Sequence, residues 1–465
     1  MPKGTVGRIS AIFLGIGALA SPASAETLEE ALALAYSTNP GLESQRSALR
    51  SQDEGYVQAR SQALPNISAS VSASNTESES PPGVVTDPTT GFQFPIGGRS
   101  SSNSANYSIN ARQNIYRGGR TGAAMNEAMA NIMSGRATLQ AQEQTLLIDV
   151  INAYTAVRRD ETILEVRQNN VSVLERQLQE TRDRFEVGEI TRTDVSQAEA
   201  RLAAARSSLA SAQAALTASR SQYERIVGRA PGTLAPPPAL PALPESLEQA
   251  LAIAMESNPD LIAAQYAEDA AKASVRGARG AFQPSVSING SYGRRQNVVG
   301  DPSETDSATV GAQLSVPLYS GNQLSSALRS EREAESRARL QLRSAERGVR
   351  DGVMSSWSSY RAAELQIEAN EEQVRAAELA LEGVQAEATV DLRTTLDVLN
   401  AEQELLNARL ALVQSEQSAY VAAFRLLQAV GAVGPELWDL DVEIYDPAAN
   451  FRQVRRSVIG IGILE

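Results

Sequence analysis

The stretch from Arg184 to Arg206, RFEVGEITRTDVSQAEARLAAAR, has a near-twin from Glu387 to Arg409, EATVDLRTTLDVLNAEQELLNAR. Val187 aligns with Val390, Thr191 with Thr394, Asp194-Val195 with Asp397-Val398, Ala198-Glu199 with Ala401-Glu402, and Arg206 with Arg409. Each twin closes one very long helical pattern and opens another, so each reads as the turn of a long helical hairpin. A chain carrying two such turns is two copies of one unit, and that duplication restricts every further assignment.

The copies extend upstream. TLEEALALAY at Thr27–Tyr36 reads as a short helix with Thr27 and Glu30 as a capping box. Asn39-Pro40 breaks it, and Pro40 starts a second helix that runs to about Leu64 before Pro65. The stretch from Ser246 to Phe282 repeats this, with Asn258-Pro259 and Pro284 in the matching places and no gap. After each proline comes strict alternation: Ile67, Ala69, Val71, Ala73 between serines, and Val286, Ile288, Gly290, Tyr292 between polar or small residues. Two more alternating stretches follow, at Ala105, Tyr107, Ile109, Ala111 and at Ala308, Val310, Ala312, Leu314, Val316. A period of two over ~10 residues is a strand with one apolar and one polar face. Thr76 to Asn103 reads as a long loop rich in Pro, Gly, Ser and Thr, and Gln296 to Asp306 as a shorter one. Each copy thus holds one β-hairpin. Four strands cannot close a barrel, which needs about eight, so closure demands association of chains.

Beyond Ile115-Tyr116-Arg117-Gly118 and Leu318-Tyr319-Ser320-Gly321 the pattern turns helical, from about Gly119 to Val187 and from about Asn322 to Val390. Helices of this length reach ~100 Å at ~1.5 Å per residue. Return helices run from about Thr193 to Val227 and Thr395 to Val430. Their heptads, Val195-Ala198-Leu202-Ala205-Leu209-Ala212-Leu216 and Val398-Ala401-Leu405-Ala408-Leu412, alternate small and large residues for close antiparallel packing.

The expected organisation is a signal peptide at 1–25, a first repeat at 26–228 with its β-hairpin at 66–116 and helical hairpin at 119–228, and a Pro-rich connector at 229–245. A second repeat follows at 246–431, with a β-hairpin at 285–319 and a helical hairpin at 322–431, and then a C-terminal tail at 432–465. Trp438, Ile444 and Tyr445 are the tail residues expected to pack on the helices' midsection. The signal rests on Lys3 and Arg8, the apolar run Ile9–Ala20 and the Ala23-Ser24-Ala25 cleavage pattern. The apolar run is shorter than the ~20 residues a membrane helix needs, and no later segment is long and apolar enough for one. Any membrane portion must therefore be made of strands.

The chain has no Cys and no His, which removes thiol nucleophiles, disulfides, Cys/His zinc sites and histidine acid–base chemistry. Its only lysines are Lys3 and Lys272, and it has no phosphate-binding glycine loop, so neither an enzyme nor a cofactor or metal is expected. A net charge of -13 argues against a nucleic-acid partner.

The twin turns, Asp-Val followed by an Ala-Glu-Gln-rich helix, resemble those of the TolC family of outer-membrane efflux proteins. The second turn, Thr394-Thr395-Leu396-Asp397-Val398-Leu399-Asn400-Ala401, is the nearer match, and the resemblance covers nearly the whole chain after residue 25. It implies a mainly α fold with a transmembrane β part. Long antiparallel hairpins of a homotrimer form a periplasmic α-barrel, and four strands per chain join a 12-stranded β-barrel in outer-membrane lipid. It implies the exit duct of a tripartite efflux pump or type I secretion system. Its partners are a periplasmic adaptor and an inner-membrane pump of ABC or RND type, in a Gram-negative cell.

Residue by residue, the resemblance makes the hairpin tips the adaptor-docking sites: Val187, Gly188, Glu189, Ile190 in the first and Val390, Asp391, Leu392 in the second. Asp391 stands where the family has Gly, which sets the two tips apart. Asp397 and Asn400, three apart on one helix face, match a constriction whose two positions tend to be acidic, so a weaker field is expected here. Arg393, Asp194 and Thr193 match positions that bridge neighbouring helices in the closed state. The aromatic partner of that network falls at Ala388. Asp194 and Asp397 also suit a helix N-terminus electrostatically. Tyr116 and Tyr319 are candidate interfacial aromatic anchors, with strand-end packing as the bland alternative. The runner-up reading is a periplasmic coiled-coil scaffold or adaptor not inserted in the membrane. Such adaptors carry one hairpin and lipoyl-like domains absent here.

Overall fold

A computed structural model describes residues 25–299, 303–390, 392–438 and 440–456. The expected signal segment lies outside the described residues except for Ala25, as does Asp391 at the second tip. The first half runs α1 (Leu28–Thr38), α2 (Pro40–Ser61), β1 (Asn66–Thr86), β2 (Gln93–Tyr116), α3 (Arg120–Glu186) and α4 (Arg192–Val227). The second half runs α5 (Leu247–Ser257), α6 (Pro259–Gly280), β3 (Ser285–Val299), β4 (Glu304–Ser315), α7 (Gln323–Ala388) and α8 (Thr395–Ala429). A 3₁₀ turn at Pro435–Trp438 and α9 (Ala449–Val454) finish the described chain.

The starts of these helices are written locally. Thr27 and Glu30 form a reciprocal capping box ahead of α1. The Asn39 carboxamide accepts from the Gly41 and Leu42 amides, and Asn258 does the same for Asp260 and Leu261, each with proline at the first helical position. The α2 helix stops at Ser61, three residues short of the expected Leu64.

The four strands form one antiparallel sheet in the order β1-β2-β3-β4, although 168 residues of long helices and connector separate Tyr116 from Ser285 in the central pair. The stretches expected as loops are largely strand. The pairing runs on from Thr76↔Ser102 to Thr86↔Gln93, leaving only a short turn, and β3 pairs with β4 as far as Gln296↔Glu304. The ladder is made of backbone groups, so a Ser- and Gly-rich stretch with no apolar period can still pair. The second hairpin ends sooner than expected: Val316–Tyr319 lie outside β4, where Pro317 has no N–H to give.

The α3 helix is the axis of the chain. It packs against α4, α6, α2, α8 and α1, while α7 packs against α8, α6 and α5. The main core sits at mid-height on α3, where Leu147, Val150, Ile151, Tyr154 and Val157 are buried against α1, α4 and the C-terminal segment. Within the expected tail, Trp438 stacks on Phe424 and Tyr445 stacks over Arg46, whereas Ile444 is exposed. Tyr56 meets Phe451 edge-on, and the Asn450 amide donates to buried Asp53 at 2.7 Å.

Glu26 fastens the connector to this core. Its backbone exchanges hydrogen bonds with Thr233 and Ala235, and its buried carboxylate accepts from the Tyr223 hydroxyl at 2.9 Å and from Arg229 at 2.6 Å. Burial, and then the neighbouring carboxylate, push the Tyr223 phenol upward, so it stays a donor. Glu26→Ala leaves that buried hydroxyl without its acceptor and is expected to cost ~1–3 kcal/mol. Thermal unfolding should show a lower Tm for Glu26→Ala than for Glu26→Gln, and an unchanged Tm would remove the carboxylate from this role.

Candidate functional site

Two regions carry surface chemistry that a soluble helical protein has no use for. The first is the sheet. Its register sets the apolar residues of all four strands in common rows: Ile67–Ala111–Gly290–Val310 and Ala69–Ile109–Tyr292–Ala308. Below them lie Gln113–Ile288–Ala312 and Val286–Leu314, and above them Val71–Tyr107 meets Arg294, which is paired with Asp306 and Glu304. The opposite face is polar, with Ser70 and Ser108 hydroxyls 2.8 Å apart and Arg295 donating to Asn106. The apolar face is uncovered: Val71 is 72 % and Val310 85 % exposed. A band of about ten residues with this alternation fits the apolar thickness of an outer membrane, ~25 Å. Among the described residues no helix is long and apolar enough to cross a membrane. Tyr116 ends β2 on the apolar face, opposite Val286, and Tyr319 stands almost fully exposed beyond β4.

The second region is the pair of tips. In the first, Glu189 N–H reaches back to Arg184 C=O at 3.0 Å across Gly188, whose φ of +81° favours glycine. In the second, Leu392 N–H reaches Glu387 C=O, also at 3.0 Å. Val187, Val390 and Leu392 present apolar side chains to solvent at the extremity, each more than half exposed. Ile190 is half-buried, and Glu189 is held by Arg184 at 3.1 Å.

Both return helices then start on the same device. Thr191 Oγ1 accepts from Asp194 N–H, and the Asp194 carboxylate accepts from Thr191 N–H at 2.9 Å and its hydroxyl at 2.7 Å. Thr394 and Asp397 repeat this at 2.9 and 2.8 Å. These bonds to Thr394, backbone first, hold the Asp397 carboxyl below the usual carboxylate range, and Thr191 does so for Asp194. The two tips enclose a cleft of ≈470 Å³ whose walls include Asp194, Ala388, Arg393 and Thr394.

The structure brings Asp194 and Arg393 onto this one cleft and gives each a nearby partner. Arg393 donates to Glu387 of its own tip at 2.7 Å, and Thr193 is exposed. A polar contact between the hairpins lies further along the return helices. Arg201 donates to Asn400 at 2.8 Å, above an apolar cluster of Leu174, Leu178, Ala198, Leu202 and Leu399. Arg201 escapes sequence reasoning, although its twin position is Glu404, a reversal of charge between copies that marks it. Glu199 is answered by Arg182 at 2.6 Å, but Gln385 occupies the twin place of Arg182. Glu402, the twin of Glu199, is pushed up by burial. A carboxyl held low in the fold stabilises it above its unfolded value and stops doing so as pH falls through the lowered one. The start of α8 should hold its amide-exchange protection from neutral pH to about 4 and lose it below. Asp397→Ala should fray the first turn at neutral pH, and equal exchange in both proteins would rule out the cap.

The family described as "Outer membrane efflux protein" matches residues 31–229 and again 250–432. The outer membrane efflux protein BepC of Brucella suis is 32% identical over 94% of this chain and 92% of its own length. The outer membrane protein TolC of Vibrio cholerae is 26% identical over 90% of this chain and 94% of its own. The solved structure of the Campylobacter jejuni CmeC outer membrane channel superimposes with a TM-score of 0.75 over 98% of each chain at 14% identity, a likeness of fold.

Proposed function

The chain belongs to the family of outer-membrane efflux proteins, and from that membership we propose that it works as a homotrimeric channel-tunnel, the exit duct of a tripartite efflux pump or type I secretion system. The observation that carries this reading is a four-stranded sheet with an uncovered apolar face and two unpaired edges, joined directly to two hairpins ~100 Å long. Unpaired strand edges are not tolerated in lipid, and four strands are too few to curl shut. Three copies, each β4 meeting the next β1, remove every edge and give twelve strands. The helical hairpins continue that ring into the periplasm as a tube.

In this arrangement the hairpin tips, Val187-Gly188-Glu189-Ile190 and Val390-Asp391-Leu392, dock the hairpin of a periplasmic adaptor bound to an ABC or RND pump. Tyr116 and Tyr319 anchor the barrel at its inner lipid boundary. Asp397 and Asn400 repeat around the threefold axis as a constriction. Asp194, Thr193 and Arg393 line the seam where hairpins separate on opening, and the Arg201–Asn400 bond fastens that seam.

The first test is the mass of the detergent-extracted oligomer from separated membranes. A trimer in the outer-membrane fraction is expected, and a soluble periplasmic monomer or dimer would overturn the reading. Two predictions address the gate. Charge reversal in Asp397→Arg should turn the cation preference of single channels toward anions. In the unaltered channel that preference should persist as pH falls to about 4, since the Asp397 carboxyl is held low. Selectivity indifferent to Asp397→Arg would remove the constriction ring. Arg201→Ala and Arg393→Ala should each raise conductance, and a closed-level conductance unchanged in both would mean that neither fastens the seam.

A further inference from the structure

The β1–β2 hairpin outgrows the rest of the sheet. Among the described residues, pairing of β2 with β3 reaches Asn103↔Val299, whereas β1 and β2 stay paired to Thr86↔Gln93. The protruding ribbon has two parts. Nearest the sheet is a polar neck, in which Thr76 pairs with Ser102 and Glu79 with Arg99. Beyond it is an apolar tip. Val85 and Phe94 face each other and share a side with Ile96, while Val84 and Phe92 are also exposed. Exposure of these five residues ranges from 50 to 70 %, which leaves an apolar ribbon uncovered. Because the neck separates it from the lipid-facing band, the tip stands outside the bilayer's apolar layer, which is only ~25 Å deep.

Neck and tip meet at a built bend. The register shifts between Ser80 and Gly83, with Pro81-Pro82 on one strand against Gly97 (φ +93°) and Gly98 (φ +112°) on the other. A Cβ on Gly97 would lie 2.2 Å from the Pro81 carbonyl oxygen, so the two strands cross there at a distance only glycine allows. A lone two-stranded ribbon is barely stable in water, and an apolar one needs cover.

We propose that the cover is the same tip of the two neighbouring copies, so that three apolar hairpins meet on the threefold axis and cap the outer mouth of the barrel. This rests on the trimeric reading above. The tip continues β1, the edge through which copies would join, so the three tips are carried on one rim. It also has the reach. Twelve strands ~4.8 Å apart and tilted by ~40° enclose a radius of about 12 Å. From Gly83 to Asp87 the ribbon spans about 13 Å at ~3.3 Å per residue, before its turn is counted. Bent inward at Pro81–Gly97, each tip crosses the radius and brings the Val85–Phe94 pair and the turn beyond it toward their counterparts. The duct then has a weak apolar closure at its exit, separate from the polar seam at the inner tips.

The chain has no cysteine, so a single Thr89→Cys thiol at the turn reports its neighbours without a background. Full-length protein in outer membranes is oxidised and run unreduced, and the detergent-extracted mass is measured alongside. The expected result is a trimer in which two of three chains are disulfide-linked, with the link lost in a Val85→Ser, Phe94→Ser background. A trimer whose thiols stay unlinked and react fully with a water-soluble maleimide overturns the cap and leaves the channel reading standing. So does a trimer in which a Phe94→Trp side chain is quenched by brominated lipid, which assigns the tip to the membrane surface. Absence of a trimer overturns both.

Discussion

The constraint on which the rest depends is the unpaired backbone along β1 and β4. A row of free N–H and C=O groups beside an uncovered, largely apolar face is stable neither in water nor in lipid. The remainder of the chain is built so that this sheet can be completed by others like it. The second strand of each hairpin passes within a few residues into α3 or α7, so the helices inherit the spacing of the strands. The core at mid-height is the rigid frame that makes this inheritance useful. There α1, the connector and the C-terminal segment wrap the long helices, with Glu26, Tyr154 and Tyr223 tying backbone and side chains of distant segments together.

Stability is distributed unevenly along the tunnel axis. The midsection buries large side chains from many elements, whereas the inner tips are held mostly by bonds within each turn. The Thr-Asp boxes make each return helix start on its own, without help from the neighbouring hairpin. Near the tips a small apolar cluster and the Arg201–Asn400 bond join the hairpins. Self-sufficient tips with few cross-contacts are the low-stability end of a structure, the part from which moving elements are drawn.

Much of this was legible because it is local or periodic. The capping residues Thr27, Asn39, Thr191 and Thr394 announce their helices within a few residues. The seams Ala198-Leu202 and Leu405-Ala408 are buried as the heptads require. The alternation in the four strands gave their faces correctly. The stretch from Thr76 to Asn103 misled because backbone pairing leaves no mark in a Ser- and Gly-rich sequence. Tail packing was partly legible: Trp438 and Tyr445 are placed as aromatics should be, but Ile444 is left outside. At the tips, pairing Asp194 with Arg393 by family position found residues on one cleft. It did not find that Thr191 and Glu387, closer along the chain, claim them first.

The sequence by itself determined the duplication, the long helices, the faces of the four alternating strands and the starts of the capped helices. Each depends on interactions between residues a few positions apart, or on a period that side chains must follow to share a face. Only the tertiary structure decided that β2 lies beside β3, that the hairpin outgrows its sheet, and that Arg201 reaches across to Asn400 while Arg393 turns to Glu387 of its own tip. These depend on which segments meet after the long helices have folded back. That meeting is set by packing along ~100 Å of coiled coil, where no single residue carries the instruction.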